Sequence, residues 1–209
     1  GQGSVLLKQG IHLDYRWEKP VSAVLDHLGI QEASHFGLSM GGWFCLRAAA
    51  FEPRNKNVIA SGHAVDYSRI PPAFARSLMF FFIKRMREYT AKSFEEVAKK
   101  NTIQGWQTGN LAHITGLSPL EAFEYSLNLN GENLHCERIT QHVLYLTGRN
   151  DHFIPYKMHA IQKKLFSNAA SVTDRVYTKK DQAQHHCQIG NVGLMLDECI
   201  AWLNAHSQG

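Results

Sequence analysis

The stretch Gly37-Leu38-Ser39-Met40-Gly41-Gly42 is the part of the sequence from which the fold can be inferred. Its spacing, G-x-S-x-G, is typical of a serine on a sharp strand-to-helix turn, where glycines let the backbone pass closely and the hydroxyl stands clear of the sheet. A glycine-containing turn without a chemical role has the same spacing. The surrounding sequence favours the first interpretation, because a candidate strand (residues 34–38) precedes the serine and an alanine-rich candidate helix (residues 43–50) follows it.

The composition is ordinary for a soluble globular protein. The chain has 209 residues, of which 44% are hydrophobic and 19% charged, which is enough for one domain with a sizeable core. The net charge of +4 arises from 22 Lys and Arg that are spread along the chain, so nucleic-acid binding gains little support. The four cysteines form no C-x-x-C pair and have no zinc-like spacing. We therefore expect no metal site, no disulfide framework and a cytoplasmic location.

The sequence as given contains neither a membrane-span pattern nor a secretory signal. Its longest apolar run, residues 78–83, is bounded by Arg76 and Lys84 and is far shorter than the ~20 residues that a span needs. This run predicts a buried or lid-type helix. The first residues, Gly1-Gln2-Gly3-Ser4, predict a loop that leaves a strand outside this sequence, so we expect an N-terminally truncated chain.

Strand and helix patterns alternate along much of the chain. This alternation predicts an α/β fold with a mainly parallel sheet and flanking helices. The predicted strands are residues 34–38, 57–62, 143–147 and 174–178, and the predicted helices outside the Ser39 turn are residues 15–28, with Gly29 as C-cap, 156–166 and 192–205.

A long, mainly helical stretch interrupts this alternation between about Asp66 and Leu134. We interpret residues 67–134 as a helical cap inserted into an α/β core formed by residues 1–66 and 135–209. Segments that cover a substrate are usually insertions at the loop end of a sheet, which supports this interpretation. The alternative is that these helices simply pack on the sheet.

A serine nucleophile needs a base to accept its proton and an acid to orient that base. Asp151 follows a predicted strand at a glycine-punctuated turn, which places it at the same sheet edge as Ser39, although a turn or N-cap aspartate is an equally good interpretation. His185 and His186 follow the last predicted strand, and both are candidates for the base. A metal-binding role for this pair is weaker, because no third ligand is nearby. Asp66, shortly after the second strand, is an alternate acid.

The order serine, acid, histidine resembles that of the α/β-hydrolase superfamily, and the resemblance covers nearly the whole chain. Residues 146–155, Leu-Thr-Gly-Arg-Asn-Asp-His-Phe-Ile-Pro, are similar to the acid loop of its capped serine hydrolases. His186-Cys187-Gln188-Ile189-Gly190-Asn191 is similar to their histidine loop. In that pattern the histidine directly before the cysteine is the base, so the resemblance selects His186 rather than His185.

The resemblance implies a catalytic triad of Ser39, His186 and Asp151, with the backbone N–H of Met40 in the oxyanion hole. Gly1-Gln2-Gly3 is similar to the end of the family's Gly-Pro-Gly-Gln-Gly turn, so the preceding strands and the second oxyanion donor lie outside this sequence.

The function implied is hydrolysis of a small-molecule carbonyl substrate, such as an ester, thioester or amide, or hydrolysis of a carbon–carbon bond. We expect no cofactor, and the sequence leaves a homo-oligomer open. The alternative function is a non-catalytic ligand-binding or regulatory protein on a degenerate hydrolase fold.

Overall fold

Four parallel strands form the sheet that carries the Ser39 turn. The computed structural model describes residues 2–206, and within them the strands lie side by side in sequence order. Leu38 pairs with Ser61, and Ser61 pairs with Leu146, so the carboxyl ends of the strands meet at one edge of the sheet. The predicted α/β fold with a mainly parallel sheet is confirmed. The strands are β1 (Ala33–Leu38), β2 (Asn55–Ser61), β3 (His142–Gly148) and β4 (Ser171–Tyr177).

The described residues divide into two units. The sheet unit contains Arg16–Val65 and the residues from Asn130 onwards, and the helical unit contains the residues up to Tyr15 together with Asp66–Leu129. The α-helices are, in chain order, α1 (Gly3–Gln9), α2 (Glu18–Leu28), α3 (Met40–Ala49), α4 (Ala73–Arg85), α5 (Arg87–Ala98), α6 (Ile103–Thr115), α7 (Pro119–Ser126), α8 (Gly131–Leu134), α9 (Lys157–Lys163) and α10 (Val192–His206).

The core of the sheet unit is built on the two central strands. Residues 58–60 of β2 and 143–146 of β3 are buried, as expected for parallel strands that are covered on both faces. Met195, Cys199 and Trp202 of helix α10 belong to the same hydrophobic cluster as Ile59 and Leu144 of these strands. This packing fixes the strand ends from which the candidate site residues extend.

The N-terminal residues form a helix instead of the predicted loop. Helix α1 ends at Gly10, which has a left-handed conformation (φ 64°) and donates its N–H to the carbonyl of Leu6 at 2.9 Å. The loop prediction for Gly1-Gln2-Gly3-Ser4 was therefore wrong from Gly3 onwards, because burial of Leu6 and the glycine cap stabilise a helix there. Gly1 itself lies outside the described residues.

The bounds of the two units differ from the predicted domain bounds at three places, one of which is the single residue Asp66, found in the helical unit instead of the core. The N–H of Leu13 donates to the carbonyl of Ile114 at 2.8 Å, and the residues up to Tyr15 belong to the helical unit instead of the predicted α/β core. Arg47 of helix α3 hydrogen-bonds the carbonyl of Asn133. This contact explains why α8 belongs to the sheet unit, although we predicted it as part of the cap.

The apolar run of residues 78–83 lies in helix α4. Ile83 is its buried residue, whereas Leu78 and Phe81 are exposed, so the helix is not buried as a whole. Within residues 2–206, none of the helices combines the length and the apolar character that crossing a membrane requires.

His63, two residues after β2, is a histidine buried inside the sheet unit. Its side chain is 1% exposed, and neither ring nitrogen has a hydrogen-bond partner among the described residues. The ring packs edge-on against Tyr145. Burial lowers the pKa of His63 from 6.5 to about 3, because the charged ring would lose its water without gaining a partner. The folded protein therefore keeps this ring neutral.

Acid is expected to destabilise the fold through His63. Between pH 6.5 and about 3 the unfolded chain binds a proton that the folded protein does not bind, so the free energy of unfolding decreases as the pH falls through this window. The contribution of this group reaches roughly 5 kcal/mol at the acid end. In denaturant titrations, His63→Leu should lose less stability than the wild type between pH 6.5 and about 4. Replacing the exposed His27 with glutamine is the control, and equal pH dependence in all three proteins would contradict the assignment.

Candidate active site

Ser39 lies at the turn between β1 and α3, at the carboxyl edge of the sheet. Its backbone has φ 55° and ψ −126°, a region that residues with a side chain rarely occupy. The N–H of Ser39 donates to the carbonyl of Ser61 at 2.8 Å, and its carbonyl accepts from the N–H of Gly42 at 2.9 Å. These two bonds hold the strained turn that the G-x-S-x-G pattern predicts.

Close packing around this turn explains Gly37 of the G-x-S-x-G motif and Gly42, which directly follows the motif. A Cβ atom on Gly37 would lie 2.0 Å from the carbonyl oxygen of Gly41, so a side chain there would push β1 and α3 apart. A Cβ atom on Gly42 would lie 2.9 Å from Cβ of His63. The glycines therefore allow helix α3 to begin directly after the serine.

Ser39, His186 and Asp151 form a continuous hydrogen-bonded line at this edge of the sheet. Nε2 of His186 lies 2.9 Å from Oγ of Ser39, and Nδ1 of His186 lies 2.8 Å from Oδ2 of Asp151. When the carboxylate accepts the Nδ1 proton, Nε2 of the neutral ring directs its lone pair at the serine hydroxyl. In this tautomer the ring can accept the proton of Ser39 while the serine oxygen acts as a nucleophile.

The carboxylate of Asp151 is held on both of its oxygens. Oδ1 accepts the backbone N–H of Phe153 at 2.8 Å and that of Ile154 at 2.9 Å, while Oδ2 contacts His186. Asp151 is thus also the turn aspartate that the sequence offered as an alternative. These bonds fix the orientation of the carboxylate relative to His186. Because the side chain is only 2% exposed, water hardly competes for them.

Two opposing effects set the pKa of His186. Burial of the ring lowers the pKa, but the hydrogen bond with Asp151 and the interaction with the thiol of Cys187 raise it, and the result is a pKa raised from 6.5 to about 9. Phe153 packs edge-on against the ring, with the ring centroids 4.8 Å apart. This contact helps to shield the His186–Asp151 pair from water.

Comparisons with known proteins agree with this architecture. No protein-family model matches the chain. A curated relative, hydrolase LUC6 from Fusarium sp., is 27% identical over 225 aligned residues, which cover 98% of this chain and 52% of LUC6. The chain therefore spans about half the length of the curated relative that it matches.

Solved structures resemble the chain at lower sequence identity. The structure of a 2,6-dihydroxy-pseudo-oxynicotine hydrolase is 21% identical, with a TM-score of 0.60 over 98% of this chain and 50% of that chain. The α/β hydrolase GrgF from Penicillium sp. sh18 is 15% identical, with a TM-score of 0.58 over 93% of this chain and 73% of that chain. The chain has an α/β-hydrolase fold.

Within this α/β-hydrolase fold, the two alternate site candidates have other partners. His185 is exposed, and its Nε2 accepts a hydrogen bond from Nε2 of Gln184 at 3.0 Å. His186, and not His185, is therefore the ring in line with the serine. Asp66 belongs to the helical unit, where its Oδ1 accepts from the N–H and the hydroxyl of Ser68. It caps the short 3₁₀ helix Tyr67–Arg69.

The backbone N–H of Met40 is the first of helix α3 in this α/β-hydrolase fold. The N–H groups of a first helical turn have no carbonyl four residues earlier in the helix to bond, and their combined dipoles attract negative charge. Met40 directly follows Ser39, so its N–H can donate to an oxyanion that forms at the serine.

Among residues 2–206, no group of three or more His, Cys, Asp or Glu side chains is arranged to hold a metal ion.

Two residues that hold the site together were missed from the sequence. Phe153 packs on His186, and the carbonyl of Ser61 holds the N–H of Ser39. Their positions in the sequence pointed towards the site, because Phe153 lies two residues after Asp151 and Ser61 lies in the strand next to the one that precedes Ser39. Neither residue type is specific to a catalytic site, so the signal alone could not identify them.

Proposed function

We propose that this protein is a serine hydrolase that acts on a carbonyl substrate through an acyl-enzyme. The observation that carries the proposal is the line from Asp151 through His186 to Ser39, with contacts of 2.8 and 2.9 Å. A serine hydroxyl is a weak nucleophile at neutral pH and becomes effective when a positioned base accepts its proton. This geometry supplies the base and fixes the base's tautomer.

In the proposed reaction, Oγ of Ser39 attacks the carbonyl carbon while its proton passes to Nε2 of His186. The imidazolium then donates this proton to the leaving group, and the acyl group remains on Ser39. His186 next takes a proton from water while the water oxygen attacks the acyl carbon. The bond between the acyl carbon and Oγ then breaks as the imidazolium returns the proton to Oγ, which releases the acid and regenerates Ser39. Asp151 stabilises the imidazolium in both steps, and it is not itself protonated.

The N–H of Met40 is the proposed donor to the oxyanion. Charge develops on the carbonyl oxygen as the tetrahedral intermediate forms, and a donor fixed at the start of α3 stabilises that charge without reorganisation. One such donor contributes about 10²–10³ to the rate. Residues 67–129, the part of the predicted cap that lies in the helical unit, are inserted between β2 and β3 in the sequence and are proposed to govern substrate choice as a cap.

The proposal is tested by pre-steady-state kinetics of the full-length protein with p-nitrophenyl esters of increasing acyl length. We expect a burst of p-nitrophenol with a stoichiometry close to the enzyme concentration, because acylation of Ser39 precedes hydrolysis. Tight ester binding without a burst and without turnover would instead support a ligand-binding or regulatory protein.

The rate should rise with pH, because only neutral His186 can accept the serine proton. The pKa of His186 is raised to about 9, so the ring is largely protonated at pH 7 and is progressively deprotonated as the pH increases. We expect kcat/KM to increase by about tenfold per pH unit below the pKa and to level off near it. Stopped-flow assays across pH 6–10, with folding checked by circular dichroism, measure this profile. A rate independent of pH between 7 and 9 would contradict it.

A further inference from the structure

We propose that Gln188 is a positioning residue that couples the histidine loop to the nucleophile through Ser61. This inference rests on the proposed function, because its role is to hold His186 against Ser39. Ser61 is the last residue of β2 and contacts both parts of the site. Its backbone carbonyl holds the nucleophile turn, and its side chain holds the loop that carries the base.

The contact between Gln188 and Ser61 is short and fully buried. The hydroxyl of Ser61 donates to Oε1 of Gln188 at 2.6 Å, across 127 residues of sequence, and both residues are 0% exposed. Nε2 of Gln188 is buried without a partner among the described residues. An unused buried donor costs free energy, and a methionine of similar volume would fill this space without that cost. Packing alone therefore does not account for a glutamine at this position.

The loop that Gln188 holds has an unfavourable backbone conformation. Cys187 and Gln188 follow His186 directly and have φ values of 49° and 54°, in the left-handed region that non-glycine residues rarely adopt. Two such residues in succession require support from their surroundings. The bond to Ser61 supplies that support immediately after the catalytic ring.

Ser61 also holds a second strained conformation, that of the turn at Ser39. The carbonyl of Ser61 accepts the N–H of Ser39, whose φ is 55°. The next residue, Gly62, also lies against the histidine loop, since a Cβ atom on it would be 3.3 Å from Cε1 of His186 and 2.8 Å from Sγ of Cys187. The end of β2 is thus the common support of the serine turn and the histidine loop.

The role of Gln188 is tested with Gln188→Met, Ser61→Ala and the double variant in the full-length protein. Displacing a catalytic group by about 1 Å can lower the rate by about 10². We expect each single variant to lower kcat by 10- to 100-fold with KM nearly unchanged. The double variant should be no slower than the slower single variant, because one interaction is lost in each case. The midpoint of the pH–rate profile should stay at its wild-type value, because the Asp151–His186 pair is intact.

The matched control is Gln141→Met, just before β3. This variant removes the hydrogen bond from Nε2 of Gln141 to the carbonyl of Ala49 and the one from the N–H of Thr140 to Oε1 of Gln141. This variant should keep the wild-type kcat. A lower melting temperature of Gln188→Met with an unchanged kcat would assign Gln188 a structural role only and overturn the inference.

Amide hydrogen exchange separates failure of this inference from failure of the proposed function. In Gln188→Met, peptides that contain Ser39 and peptides from residues 185–191 should both exchange faster than in the wild type and in Gln141→Met. This readout does not require turnover. Unchanged exchange in both regions would overturn the coupling, whereas faster exchange in a protein that never hydrolyses esters would retain the coupling and reject the hydrolase.

Discussion

Ser39→Ala is expected to lower kcat for ester hydrolysis by about 10⁶. The variant removes the oxygen that we propose as the nucleophile, while His186 and Asp151 keep their mutual hydrogen bond. Alanine and serine both carry a Cβ atom, so the replacement adds no steric strain at φ 55° and the fold of the turn should persist. Initial rates with an activated ester, normalised to folded protein by circular dichroism, give the measurement.

The control for this variant is Ser167→Ala, which changes an exposed serine of the sheet unit between α9 and β4. It should retain the wild-type rate. Hydrolysis by Ser39→Ala at the wild-type rate would show that the reaction does not use this serine, and the proposed mechanism would be rejected.

Asp151→Asn is expected to lower kcat by about 10⁴. Asparagine retains an acceptor for the N–H groups of Phe153 and Ile154, so the loop should remain folded. Its NH₂ group, however, favours the tautomer of His186 in which Nδ1 is the acceptor and Nε2 carries the proton. Nε2 can then no longer accept the proton of Ser39. The measured quantity is kcat at a pH where the wild type is fully active.

A second Asp–His pair in the sheet unit provides the matched control. Oδ2 of Asp174 lies 3.2 Å from Nε2 of His159, and its Oδ1 accepts from Nζ of Lys163 at 2.7 Å. Asp174→Asn therefore makes the same chemical change in a pair that does not contact Ser39. Its kcat should stay within about twofold of the wild type. Equal losses in both variants would show that the effect of Asp151→Asn arises from stability and not from the tautomer.

The parts of the fold that depend on neighbouring residues could be predicted from the sequence. The Ser39 turn was predicted because its glycines, the strand before it and the helix after it are adjacent in the chain, and local periodicity identifies such elements. Helix α10 was predicted over residues 192–205 and extends over Val192–His206. Gly29 was predicted as the C-cap of α2 and has the expected left-handed φ of 66°.

The parts that depend on distant contacts could not be predicted in the same way. The residues alone did not distinguish His185 from His186, because both lie in the same loop after the last strand. Only the tertiary structure shows which ring reaches Ser39. The bond between Ser61 and Gln188 joins residues 127 positions apart. The backbone bond between Leu13 and Ile114 likewise assigns the N-terminal residues to the helical unit. None of these contacts leaves a pattern among neighbouring residues of the sequence from which it could be predicted.

Active-site labelling with a fluorophosphonate, followed by peptide mapping, tests the central claim most directly. The phosphorus of the probe is attacked much faster by a serine whose proton a base accepts, so labelling of Ser39 tests whether His186 activates it. We predict one adduct per chain on Ser39, labelling that slows strongly in Asp151→Asn, and none in Ser39→Ala. A folded wild-type protein in which Ser39 stays unmodified, or in which Asp151→Asn is labelled at the wild-type rate, would contradict the account.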